Sequence, residues 1–94
     1  MKENIVMALD GTIKLEITYC VPWEYHLEAA WMASEFFSVG GSKLAITITP
    51  GDSGVLTVEV DGEKIFDKAA GDGHPNLDRV KELKAIVKNR VAAL

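Results

Sequence analysis

The spacing of apolar residues changes twice along residues 13–50. Their period is two residues at first, about 3.6 residues in the middle and two residues again at the end. In residues 13–19, IKLEITY, apolar and polar residues alternate, which predicts a strand with one buried face. A helical run follows, and the glycines at 40–41 mark its end. Residues 44–50, LAITITP, then predict a second strand. Two strands joined through one helix are expected to lie parallel, with a right-handed crossover.

The second half of the chain predicts a hairpin and a final helix. Residues 55–60 are rich in β-branched side chains, and Asp61-Gly62 is a strong turn signal, so residues 63–67 are expected to pair back as the fourth strand. Asn76 is expected to cap the last helix. The predicted order is β-α-β-β-β-α. We therefore expect an α/β (α+β), thioredoxin-like fold with a mixed four-stranded sheet and two helices packed on one face.

The helical patterns predict which side chains face the core. Pro22 is expected at the first position of the first helix, where its missing N–H costs nothing. The predicted core face of that helix, flanked by Met32 and Phe36, consists of Leu27, Ala30, Trp31, Ser34 and Phe37. The predicted apolar stripe of the last helix consists of Leu77, Val80, Leu83, Val87, Val91 and Leu94.

Composition limits the classes of partner. The 94 residues predict one domain, 1–94, with an N-terminal arm at 1–12. The net charge of −4 and the lack of a basic stripe argue against nucleic acid and anionic membranes as partners. No apolar run approaches the ~20 residues of a membrane span, and the first residues lack a signal-peptide core. We expect a soluble, cytoplasmic protein, and a single cysteine excludes an internal disulfide.

The stretch YCVPW places this one cysteine, Cys20, where the first strand gives way to the first helix. Redox sites at such a junction usually carry a second thiol or selenol three residues further on, and this chain has Trp23 there. The thiol is expected at the mouth of the helix, within reach of solutes. The helix N-terminus favours its thiolate, whereas Glu24 opposes it.

Four stretches resemble the selenoprotein W-related group, also called the Rdx or SelT/SelW/SelH family. They are Tyr19-Cys20, LEAAWMA at 27–33, the run from Gly54 to Phe66 with its VEVDG and IF, and the run from Gly71 to Lys84 with GDG, Pro75 and KELK. All four occur in family order over about residues 13–92. The resemblance implies a thioredoxin-like fold and a thiol or selenol role in cell redox homeostasis, with glutathione as a partner. Cys20 matches the first position of the family's redox motif, and Trp23 occupies the second.

Two functions remain open at this stage. In the first, Cys20 is a catalytic monothiol that forms mixed disulfides with glutathione or a client protein, and an outside thiol must resolve them. In the second, the chain is a redox-silent module, and Cys20, Val21, Pro22 and Trp23 form an apolar knob in which Val21, Pro22 and Trp23 bind a client or a second copy. The sequence leaves open whether the chain is an enzyme, whether Cys20 is inert, and whether the chain is a monomer or a weak homodimer.

Metal and phosphate sites are not expected. His26 and His74 lack metal-ligand spacing with Cys20, and a tight site needs three or four ligands. Gly71-Asp72-Gly73 lacks the frame of a phosphate-binding loop and predicts a plain turn before a helix. The expected cofactor and metal content is therefore none.

Overall fold

The computed structural model describes residues 12–94. Its helices and strands are β1 (Ile13–Cys20), α1 (His26–Gly40), β2 (Leu44–Gly51), β3 (Leu56–Val60), β4 (Glu63–Asp67) and α2 (Leu77–Ala92). Short 3-10 turns follow α1 and β4. This is the predicted order. The predicted arm, residues 1–12, lies outside the described residues except for Thr12.

The four strands form one mixed sheet in the order β2-β1-β3-β4. β1 pairs with β2 in parallel, with Ile13 opposite Leu44, and pairs with β3 antiparallel, with Ile17 opposite Val58. β3 and β4 form an antiparallel hairpin. The predicted mixed four-stranded sheet is therefore confirmed, and β2 and β4 are its outer strands.

Both helices share one core with the sheet. α1 packs against β1 and β2. α2 lies near β4, since Arg90 Nη2 of α2 is 2.7 Å from Glu63 Oε1 of β4. Lys84 Nζ of α2 lies 3.0 Å from Glu35 Oε1 of α1, so the helices are neighbours. The sheet supplies buried side chains to this core at Ile13, Leu15, Ile17, Leu56, Val58, Val60 and Phe66.

The predicted turn and cap of the second half are confirmed. Asp61 has φ 49° and Gly62 has φ 86°, so both central residues of the hairpin turn have the positive φ that this turn requires. Asn76 Oδ1 accepts a hydrogen bond of 2.8 Å from the backbone N–H of Arg79 at the start of α2. In α2 the predicted core residues Val80, Leu83 and Val87 are buried, whereas the predicted ends of the stripe, Leu77 and Leu94, are exposed.

The start of α1 differs from the prediction. Pro22 lies in a turn, and the helix begins four residues later at His26. The reason is Glu24, whose φ of 58° is left-handed and cannot belong to a right-handed helix. The chain between β1 and α1 is therefore a loop rather than the first turn of a helix.

The predicted core face of α1 is also wrong. The residues that face the sheet are Ala29, Met32, Ala33 and Phe36. Leu27 is 67% exposed and Phe37 is 47% exposed, while Trp31 is partly buried against the core. Because α1 carries apolar residues on two sides, its sequence does not select between them, and contacts with the rest of the fold decide which side is buried. Between residues 12 and 94, no helix has the length and apolar character needed to cross a membrane.

Candidate functional site

Cys20 is the last residue of β1 and pairs with Gly51 of β2. Its side chain is buried, with 0% exposure. The predicted position at the strand end is confirmed, but the prediction of a thiol within reach of solutes is wrong. A catalytic role for Cys20 therefore depends on an opening of the surrounding structure.

Cys20 belongs to the hydrophobic core cluster, and the loop after β2 comes close to its partner Gly51. By strand alternation, Cys20 belongs to the sheet face of Lys14 and Glu16, which is exposed. A Cβ atom added to Gly51 would lie 2.5 Å from Thr18 Cγ2 and 2.7 Å from Val55 Cγ1. We infer that Val55 packs over the end of the exposed sheet face that carries Cys20 and shields the thiol from solvent.

The loop at 21–25 presents the other predicted site residues to solvent. Two backbone hydrogen bonds close it, from the N–H of Glu24 to the carbonyl of Val21 at 3.0 Å and from the N–H of Tyr25 to the carbonyl of Cys20 at 3.1 Å. Val21 is 51% exposed, and Trp23 is 56% exposed. Pro22 is exposed as well. Three residues of the predicted knob are therefore on the surface, whereas the fourth, Cys20, is buried.

The Trp23 ring rests on a structured base. A Cβ atom added to Gly54 would lie 3.4 Å from Trp23 Cζ3. On another side Tyr25 meets Trp23 edge to face, with 5.9 Å between ring centroids. Tyr25, which is buried, also meets His74 edge to face at 5.3 Å, and Lys68 Nζ lies 5.5 Å from the Tyr25 ring centroid. We call Trp23, Tyr25 and His74 the aromatic cluster.

A model of the Rdx family matches residues 14–89, most of the chain.

The chain belongs to the Rdx family.

Two solved structures have a similar fold. The chain is similar to a selenoprotein W-related protein from Vibrio cholerae, with a TM-score of 0.75 and 22% identity over 85% of this chain and 98% of that one. It is also similar to a protein from Bordetella parapertussis, with a TM-score of 0.68 and 29% identity over 87% of this chain and 96% of that one. A comparison with curated proteins found no significant match. The predicted family and the predicted thioredoxin-like fold are confirmed, and the family is redox-associated.

In this Rdx-family chain, a polar network holds the segment between β4 and α2, which carries two residues that contact Tyr25. The backbone N–H of Asp67 donates a hydrogen bond to Asp72 Oδ2 at 2.8 Å. Arg79 Nη2 lies 3.1 Å from Asp72 Oδ1 and also donates to the carbonyl of Ile65 at 3.2 Å. These contacts tie the segment between β4 and α2 to both elements. Lys68 and His74 lie in that segment and contact Tyr25 from it.

The Asp67 carboxylate is expected to make stability depend on pH in the acid range. A hydrogen bond from Lys64 Nζ at 3.2 Å, assisted by the backbone N–H of Ala69, holds the pKa of Asp67 below its ordinary value. A carboxylate with a lowered folded-state pKa stabilises the fold above its unfolded pKa of about 3.9. That contribution is lost as the pH falls through the lower folded pKa. In urea unfolding at about pH 2–6, Asp67→Asn should therefore flatten the acid side of the stability curve.

Asp52→Asn is the matched control for this measurement, since Asp52 is exposed in the loop after β2. The control should keep the wild-type pH dependence. If Asp67→Asn also keeps it, the Lys64–Asp67 contact does not form in solution. Added salt should reduce the difference between the two variants, because the contact is near the surface.

Sequence reasoning missed several residues around the knob of this Rdx-family chain. Tyr25, Gly54, Lys68 and His74 come from three separate stretches, and only the folded sheet end brings them together. The aromatic character of Tyr25 was the only available signal. Over residues 12–94, no group of three or more His, Cys, Asp or Glu side chains is arranged to hold a metal ion. His74 contacts Tyr25, and His26 opens α1.

Proposed function

We propose that this Rdx-family protein is a thioredoxin-like interaction module that binds a client protein through Val21, Pro22 and Trp23 and does not turn over disulfides. One observation carries the proposal. The thiol at the first motif position is 0% exposed, whereas the tryptophan at the second position is 56% exposed. The surface at the position where the family has redox chemistry is therefore an indole ring.

The setting of Trp23 suits a binding anchor. Tryptophan is enriched among the residues that dominate binding energy, and a ring already held in place loses little conformational freedom on binding. Gly54 and Tyr25 both lie against the ring. Val21 extends the apolar surface. A client with a matching apolar pocket would bury both side chains.

A monothiol redox function is the second candidate, and the position of Cys20 at the end of β1 favours it. In that reaction the Cys20 thiolate attacks oxidised glutathione, a Cys20–glutathione disulfide forms, and one glutathione leaves as thiolate. A second external thiol is needed to release Cys20. Because Cys20 is buried, the thiol could react in this way only after the structure around it opens.

One set of variants separates the two functions. Each variant is used to capture client proteins from an extract of the source cells. The Cys20→Ser variant should capture the same client as the wild type, and the Trp23→Ala variant should not. Leu77→Ala is the matched control, because Leu77 is an apolar residue 68% exposed on α2, and its loss should leave capture unchanged. If Cys20→Ser abolishes capture while Trp23→Ala does not, the monothiol function replaces the proposal.

Mass spectrometry after incubation with oxidised glutathione completes the test. The native protein should gain no adduct within a time in which the urea-unfolded protein is fully modified, because burial protects the thiol until the structure opens. An adduct that forms at the same rate in both states would contradict the proposal.

A further inference from the structure

The outer edge of β2 lacks the features that keep sheet edges from pairing. β2 has β1 on one side and, among residues 12–94, no strand on the other. Its eight residues, LAITITPG, contain no charged side chain, and Ile48 is 43% exposed. The other outer strand, β4, has the sequence EKIFD and carries three charges in five residues. Charged edges resist pairing with another chain, whereas a long uncharged edge invites it. Pro50 alone blunts β2, and it does so only near the end of the strand.

The exposed apolar side of α1 lies beside the same edge. Glu35 of α1 contacts Lys84 of α2, so the side of α1 that carries Glu35 faces α2. α2 in turn lies near β4 through the contact between Arg90 and Glu63. At 100° per residue, Ala30 and Phe37 lie on the opposite side of α1 from Glu35. That side faces away from α2 and toward the β2 edge, since α1 packs on β1 and β2. Phe37, at 47% exposure, therefore continues the uncharged surface of β2.

This surface matches itself. Ile46 and Ile48 are opposite Leu15 and Ile17, so they lie on the helix side of the sheet. If β2 pairs antiparallel with β2 of a second copy and Thr47 meets Thr47, then Ile46 of each copy lies opposite Ile48 of the other. A twofold axis at Thr47 makes the two halves of such an interface identical.

Charge restricts the surface through which a second copy can bind. Each chain carries a net charge of −4, so two copies repel each other over most of their surfaces. The β2 edge brings no like charges together, and cross-strand isoleucine pairs stabilise a sheet. We propose that two copies of this chain associate through β2, antiparallel and with Thr47 at the twofold axis, into one eight-stranded sheet flanked by their α1 helices. This interface lies on the β2 side of the fold and does not depend on the client surface at Trp23.

Sedimentation velocity in reducing buffer, from about 1 µM to about 1 mM protein, tests the association. The wild type should shift from monomer to dimer with concentration. Thr47→Lys should stay monomeric throughout, because it places two lysines next to each other at the axis. Thr47 is exposed and lies opposite Glu16, so the variant is expected to fold, which circular dichroism checks. Asn89→Lys, on the exposed surface of α2, adds the same charge away from β2 and should dimerise like the wild type.

Two further measurements locate the interface. Phe37→Ala should weaken the dimer by about tenfold or more, since apolar anchors supply most of the binding energy. Trp23→Ala should leave it unchanged, which separates this proposal from the proposed function. A wild type that remains monomeric overturns the proposal and leaves the edge to an extended peptide of another protein. A dimer that survives Thr47→Lys, or that Trp23→Ala abolishes, overturns it as well.

Discussion

Replacing Phe36 by alanine is expected to lower the free energy of unfolding by about 3–5 kcal/mol. Phe36 is 0% exposed and belongs to the stripe of α1 that faces the sheet. Its removal loses the transfer energy of the ring and leaves a cavity that the neighbouring side chains cannot fill completely. Urea unfolding followed by circular dichroism measures the change, and the slope of the transition should stay near the wild-type value.

Phe37→Ala is the matched control, one residue further along the same helix. Phe37 is 47% exposed, so its loss should cost less than about 1 kcal/mol in dilute protein, where any dimer is dissociated. The sequence pattern predicts Phe37 on the core face and Phe36 beside that face. A larger effect for Phe37→Ala than for Phe36→Ala would show that α1 is rotated by about one residue from the orientation described.

The parts of the fold that could be predicted are those in which local chemistry leaves one outcome. Asp61-Gly62 requires a turn with positive φ, and both residues adopt it. Asn76 has an oxygen that satisfies a free N–H at the start of a helix, and it does so. The parallel pairing of β1 and β2 follows from the helix between them. These features determine the order of the elements and most of the sheet.

The orientation of α1 could not be predicted because its sequence is apolar on two sides. Leu27, Trp31 and Phe37 form one apolar side, and the stripe that includes Phe36 forms another. The choice depends on contacts with distant parts of the chain, and the orientation that results brings Glu35 against Lys84, 49 residues away. The left-handed Glu24 delays the start of the helix. Neither feature has a signature within the helical pattern itself.

The burial of Cys20 has a similar origin. Strand alternation predicts an exposed position, and Val55, which we infer covers this part of the sheet, lies 35 positions further along the chain. The positions of Cys20 and Trp23 in the motif could be assigned from family resemblance. Their exposures could not, because exposure depends on how the loops after β1 and β2 pack against each other. In this fold the thiol, which was expected to be accessible, is buried, and the tryptophan is on the surface.

Gly51→Ala should therefore have a second large effect, on both stability and thiol protection. Gly51 is the partner of Cys20 in the sheet, and an added Cβ would lie 2.5 Å from Thr18 Cγ2 and 2.7 Å from Val55 Cγ1. Both distances are too short for carbon atoms, so the side chains of Thr18 and Val55 must move or the strands must separate. Overpacking of this kind costs about 1–3 kcal/mol. If Val55 moves, the cover over Cys20 loosens, and the thiol should react faster with a small aromatic disulfide than it does in the wild type.

A double-mutant cycle with Val55→Ala tests this mechanism. Val55→Ala removes the methyl group that the new Cβ would meet, so the double variant should lose less stability than the sum of the two single variants. A coupling of about 0.5–3 kcal/mol is expected for two residues in direct contact. Additive losses would show that Val55 does not pack on Gly51. Faster thiol labelling in Gly51→Ala, with no further gain in the double variant, would assign the protection of Cys20 to Val55. Labelling that stays at the wild-type rate in every variant would mean that Cys20 is covered from the helix side instead.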